Sequence, residues 1–230
     1  MNQFIALLAL LSFSATAADD TVSLLVSGGF HGEEVSAKNG ERWLGLAQTT
    51  RGFAWQAMTI QVRKVHDPVL DAVEQATGKA IAVSGKKPIL LVKGLPELAK
   101  VRVRGAFYRE QGQPLQDGRV LRLAIPQGTS YRLQVLDPRK SDEGPAIHSR
   151  LMLKSEFGSQ VLYEWPMGLL DQRCELVWAG DLDGDEKLDL FLKLSDHYNV
   201  TEYTLFLSSK SKAKNGKLVD RVAHFKTHGC

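Results

Sequence analysis

Apolar and polar residues alternate with period two over much of this chain. Met58, Ile60 and Val62 alternate with Thr59, Gln61 and Arg63, and Tyr131, Leu133 and Val135 with Arg132 and Gln134. Such alternation predicts strands with one wet face. Further apolar runs predict strands at 22–26, 42–46, 80–83, 88–92, 101–108, 119–125, 150–153, 160–165, 174–178, 188–194, 202–207 and 218–225. The turn Ser84-Gly85-Lys86-Lys87 should join 80–83 to 88–92 as a pair, and Glu156 to Ser159 should turn a hairpin. In 101–108, Arg102 and Arg104 fall on a solvated face. Helical spacing occurs at 69–76, where Leu70, Val73 and Ala76 share a side and Gly78 follows. A short helical turn is also expected at 95–99. Closely spaced short strands predict a mainly β fold built from antiparallel sheets.

One compositional break interrupts this pattern. Residues 137–144 are polar, carry Pro138 and lack apolar periodicity. They divide an N-terminal β-rich part, 18–140, from a C-terminal meander, 145–230. Ahead of both, an apolar run at 4–11 ends in Ala15-Thr16-Ala17. It is too short for a membrane span and carries a cleavage pattern, so 1–17 reads as a secretory signal peptide. No later stretch is long and apolar enough for a membrane span. The expected localisation is periplasmic or secreted. Net charge is +3 with both signs mixed, too weak a bias to imply nucleic acid. In an oxidising compartment, Cys174 and Cys230 suggest one disulfide, worth roughly 4 kcal/mol in the chain-entropy model. The alternative is a free C-terminal thiol.

The densest chemistry lies at Asp181-Leu182-Asp183-Gly184-Asp185-Glu186-Lys187-Leu188-Asp189. Asp181, Asp183, Asp185 and Asp189 occupy positions 1, 3, 5 and 9. Carboxylates brought within about 5 Å repel by roughly 3 kcal/mol per pair at an effective dielectric near 20. A hard divalent cation relieves that repulsion, and the alternation of ligand and spacer suits Ca²⁺. Lys187, at position 7, contributes its backbone carbonyl, and Gly184 permits the turn. The loop is not an EF-hand, because position 12 is Leu192 where that motif needs a bidentate Glu.

With strands on both sides, this loop resembles the calcium loops of FG-GAP repeats in integrin α-subunit propellers, D-x-[DN]-x-D-G-x-x-D-L. The resemblance covers about fifteen residues and implies that the C-terminal meander is similar to one propeller blade, packed on the N-terminal part. By analogy it also implies a calcium-dependent adhesin. One departure stands out: Glu186 occupies position 6, usually Gly, where positive φ strains any other residue.

A second constellation is Gly28-Gly29-Phe30-His31-Gly32-Glu33-Glu34. It resembles the G-G-x-H-G-x-E text of zinc carboxypeptidases and related deacylases, which implies His31 and Glu34 as zinc ligands. Zinc catalysis requires a third protein ligand, for which His66 and His148 are candidates. The turn signal Lys38-Asn39-Gly40 stands where that family has a helix. The leading expectation is therefore an exported, calcium-stabilised β protein with a non-enzymatic binding or structural role. The alternative is a zinc-dependent hydrolase using His31 and Glu34. Calcium is the expected partner; the sequence specifies no protein or glycan.

Overall fold

The computed structural model describes residues 21–125, 128–136, 149–165, 174–211 and 216–229. They fold into three antiparallel sheets. Strands β1 (Ser23–Leu25), β2 (Gly28–Phe30), β3 (Arg42–Thr49), β4 (Gly52–Val65), β5 (Gly78–Val83) and β6 (Leu90–Lys93) form a six-stranded sheet, order β1-β6-β3-β4-β5-β2. The chain then runs through β7 (Arg104–Pro114) into β8 (Val120–Ala124), β9 (Ser130–Leu136), β10 (Ser149–Ser155) and β11 (Gly158–Trp165). The last four make a meander of their own. Strands β12 (Cys174–Asp181), β13 (Asp189–Leu194), β14 (Val200–Leu207) and β15 (Asp220–His228) make a second meander, with β7 added beside β12. The mainly β, antiparallel architecture and the C-terminal meander are as the alternation predicts.

The β12–β15 sheet is the middle layer of three. Along β13 and β14, successive side chains point to opposite faces, and both faces are apolar. Phe191, Leu205 and Leu207 join a core with Leu46, Trp55, Leu90 and Leu91 of the six-stranded sheet. Leu190, Leu192 and Phe206 join a second core with Leu133, Leu151 and Leu153 of the four-stranded sheet. A strand covered on both sides loses its alternation and reads as a continuous apolar run, which is what Leu190-Phe191-Leu192 shows. Trp178 and Phe191 are fully buried. Truncating either to Ala would cost about 3–5 kcal/mol.

Three local expectations change. Residues 69–76 form turns, not a helix. Val69, Leu70 and Val73 are exposed, so the helical stripe has nothing to pack against, and short helices depend on such packing. Instead Asp67 Oδ1 accepts from the amides of Val69 and Leu70, and Asp71 Oδ2 from those of Asp67 and Thr77. Side-chain acceptors of this kind compete with helix formation. Strands β5 and β6 do not pair with each other: β5 lies between β4 and β2, and β6 between β3 and β1. Leu90, Leu91 and Val92 are all fully buried, which requires an interior position. Arg104 is also not simply solvated, as described below. The expected turn of helix at 95–99 is present as a 3-10 turn, Pro96–Lys100.

Strands β9 and β10, on either side of the break at 137–144, are hydrogen-bonded neighbours. The break itself, the signal segment 1–17, His148 and Cys230 lie outside the described residues. Cys174 is a free thiol buried in the second core. Burial pushes that thiol up, keeping it protonated. Among the described residues no helix is long and apolar enough to cross a membrane.

Candidate metal centre

The acidic loop connects β12 to β13 at one end of the middle sheet, and both flanking cores hold it. Leu182 is buried in the core toward the six-stranded sheet, and Leu188 in the core toward the four-stranded sheet. From β4, Trp55 Nε1 donates to the Leu182 carbonyl at 2.9 Å. Two apolar spacers, facing opposite ways, thus aim the intervening polar residues along the end of the sheet.

Asp181, Asp183 and Asp189 converge. Each offers a carboxylate oxygen within 4.8 Å of the others, and Asp181 and Asp189 are fully buried. The backbone arranges them. Gly184 N–H donates to Asp181 Oδ1 at 2.6 Å, and Leu182 N–H to Asp189 Oδ2 at 2.6 Å. Gly184 sits at φ +83°, with Val101 3.2 Å from where a Cβ would stand. Glu186 is the non-glycine residue with positive φ among the described residues, at 65°. That strain is the one expected at position 6, of order 1 kcal/mol or more.

Asp185 and Lys187 take different places. Asp185 is not among the three convergent carboxylates. Its Oδ1 accepts from Lys187 N–H at 2.9 Å and lies 2.9 Å from Ser208 Oγ. Its Oδ2 is buried with no hydrogen-bond partner, and Lys187 Nζ stands 3.9 Å away. An orphaned buried carboxylate oxygen is costly. The Lys187 side chain is exposed, and its ammonium makes a long ion pair with that oxygen.

Four residues at the site carry no signal in the local motif. Ser208 N–H donates to Asp189 Oδ1 at 2.8 Å, and its Oγ, with one proton to give, lies 2.8 Å from the same oxygen and 2.9 Å from Asp185 Oδ1. Ser209 Oγ donates to Asp183 Oδ2 at 2.5 Å. Arg104 Nη1 reaches Asp181 Oδ2 at 3.4 Å and Glu186 Oε1 at 3.3 Å. Trp55 is the fourth. Burial, with Asp183 beside it, pushes the Asp189 carboxyl well above the usual carboxylate range. Asp183 is raised by burial and by Asp185 and Asp181. Carboxylates in this state are relieved by a proton or by a cation. All the candidate ligand atoms are hard oxygens, with no His or Cys among them, a set that suits Ca²⁺, Mg²⁺ or Mn²⁺ better than zinc.

The His31–Glu34 turn is built differently. His31 Nδ1 is 2.5 Å from Asp67 Oδ2, and that carboxylate is buried. Glu34 is held from both sides: its Oε2 accepts from His31 N–H at 3.2 Å, while its Oε1 accepts from His228 N–H at 2.6 Å and pairs with His228 Nδ1 at 3.0 Å. His66 pairs with the Gln75 carbonyl. Among the described residues, the aspartate triad is the group of three metal-binding side chains brought together. Among the described residues no third ligand joins His31 and Glu34.

Compared with known proteins, the chain matches no family model, no curated protein and no solved structure.

Proposed function

We propose that this chain is a calcium-stabilised β protein with a non-enzymatic binding or structural role, exported through its N-terminal signal segment. The observation that carries the calcium reading is the convergence of Asp181, Asp183 and Asp189, two of them fully buried, between adjacent strands. The buried Asp185 oxygen that lacks a hydrogen bond supports it, as does the alternation of ligand and spacer. Asp181, Asp183 and Asp189 would hold the ion, Asp185 would turn its free oxygen toward it, and Lys187 would offer its carbonyl. The FG-GAP resemblance favours the same ion, since the loop keeps the strand–loop–strand setting.

The role of such an ion is mechanical. It would neutralise carboxylates that otherwise repel, and so fix the end of the middle sheet between its two neighbours. Elemental analysis of protein purified without chelator, read beside thermal unfolding with and without EGTA, tests this. Calcium at about one ion per chain, and a midpoint raised by several degrees, is the expected result. No bound calcium and a shift below about 1 °C would end it.

A further inference from the structure

Arg104 and Glu186 look unrelated in sequence, one on a strand and one a misfit in the loop. The fold makes them partners. Arg104 opens β7 directly opposite Asp181 in the antiparallel register, one step from the Gly105–Gly180 pair. Both glycines are required by close approach. A Cβ on Gly180 would lie 2.2 Å from the Arg104 carbonyl, and one on Gly105 would lie 2.4 Å from the Phe53 ring. The contact therefore fixes the Arg104 backbone beside the loop. Its guanidinium then bridges a buried candidate ligand, Asp181, and the strained residue, Glu186. Glycine at position 186 would remove the strain but also the second carboxylate.

Resting on the calcium reading above, we infer that Arg104 is a built-in competitor for the bound cation, with Glu186 as its alternative seat. Without a divalent ion, the guanidinium supplies the positive charge that Asp181 needs. When an ion takes Asp181, like charges oppose each other across that carboxylate. Arg104 then transfers its interaction to Glu186, already 3.3 Å away. The pair thereby sets calcium affinity lower than four aspartates alone would give, while keeping the metal-free loop folded. Arg104 is partly exposed, so solvent screening moderates the effect.

Two signs separate this from a purely structural ion pair, whose loss would weaken free and loaded protein alike. Arg104→Gln should unfold at lower temperature than wild type in EGTA, yet bind calcium about tenfold more tightly. Arg104→Lys, which keeps the charge, should stay within about twofold of wild type. Glu186→Gln, which removes the alternative seat, should weaken calcium binding by about threefold. Calorimetric titration of the full chain with calcium chloride reads all three, with circular dichroism to check folding. If wild type binds calcium and Arg104→Gln binds it no more tightly, the competitor role is overturned and the calcium reading stands. If Arg104→Gln does not fold, unchanged affinity in Glu186→Gln overturns it. If wild type itself gives neither heat nor a midpoint shift, both fail.

Discussion

The acidic loop and the His31–Glu34 turn start from similar material. Each is a short polar segment beside a strand, and each holds residue types that can ligate a metal. The fold treats them oppositely. At 181–189, alternate carboxylates converge and three oxygens share a focus within 4.8 Å. At the turn, other partners take the would-be ligand atoms: Asp67 takes His31 Nδ1 and His228 takes Glu34 Oε1. The difference lies in where the missing partners come from. A loop joining two adjacent strands brings its own ligands together by spacing alone. A His-x-x-Glu pair needs a third ligand from elsewhere in the fold. Here the elements that reach it bring counter-charges, and the result is two clamps, His31–Asp67 within the six-stranded layer and Glu34–His228 between that layer and the middle sheet.

The largest effect should come from Asp189→Ala. It strands the Leu182 and Ser208 amides in the core and removes a convergent carboxylate. A loss of about 3 kcal/mol in denaturant titrations, with no remaining response to calcium, is expected. Calcium removal from wild type comes next. At a free concentration about 100 times the dissociation constant, the ion contributes about 2.7 kcal/mol. EGTA should therefore lower the midpoint by about 5–10 °C. Trp55→Phe tests whether the neighbouring layer holds the loop. Losing the bond to the Leu182 carbonyl should cost about 1 kcal/mol and reduce the calcium-dependent shift.

The smallest effect belongs to the turn. His31→Ala should leave the calcium-dependent shift unchanged within about 1 °C. Its own contribution should follow pH. His31 is raised, chiefly by its bond to Asp67, and Asp67 is lowered, chiefly by the same bond. Stability from the raised histidine is complete below about pH 6.5 and is lost as pH rises through its folded value. Stability from the lowered aspartate is present above about pH 4 and is lost in acid. The midpoint gap between wild type and His31→Ala should thus be widest between about pH 4 and 6.5. A gap that is flat from pH 5 to 9 would show that the pair does not act as an ion pair.

What could be read from the chain and what could not divide along sequence distance. Asp181, Asp183 and Asp189 are local to one loop, so their spacing announces them. The strain at Glu186 is equally local, fixed by its position in the turn. Ser208, Arg104 and Trp55 arrive from 19, 77 and 127 residues away. A serine after a strand or an arginine on an alternating face carries no mark of its destination. At 69–76 the helical spacing is real, but its apolar stripe meets only solvent, and Asp67 and Asp71 take the amides first. The layering left one trace: the unbroken apolar run of β13, which a sheet with a wet face would not show.

The opposite burial of Leu182 and Leu188 has a consequence for assembly. Neither leucine can seat until its own outer sheet has docked, so the loop completes only when all three layers are in register. A half-assembled chain presents scattered carboxylates with little hold on an ion. On the calcium reading proposed above, metal capture would act as a late checkpoint, sealing molecules that have already found their partners and passing over those that have not.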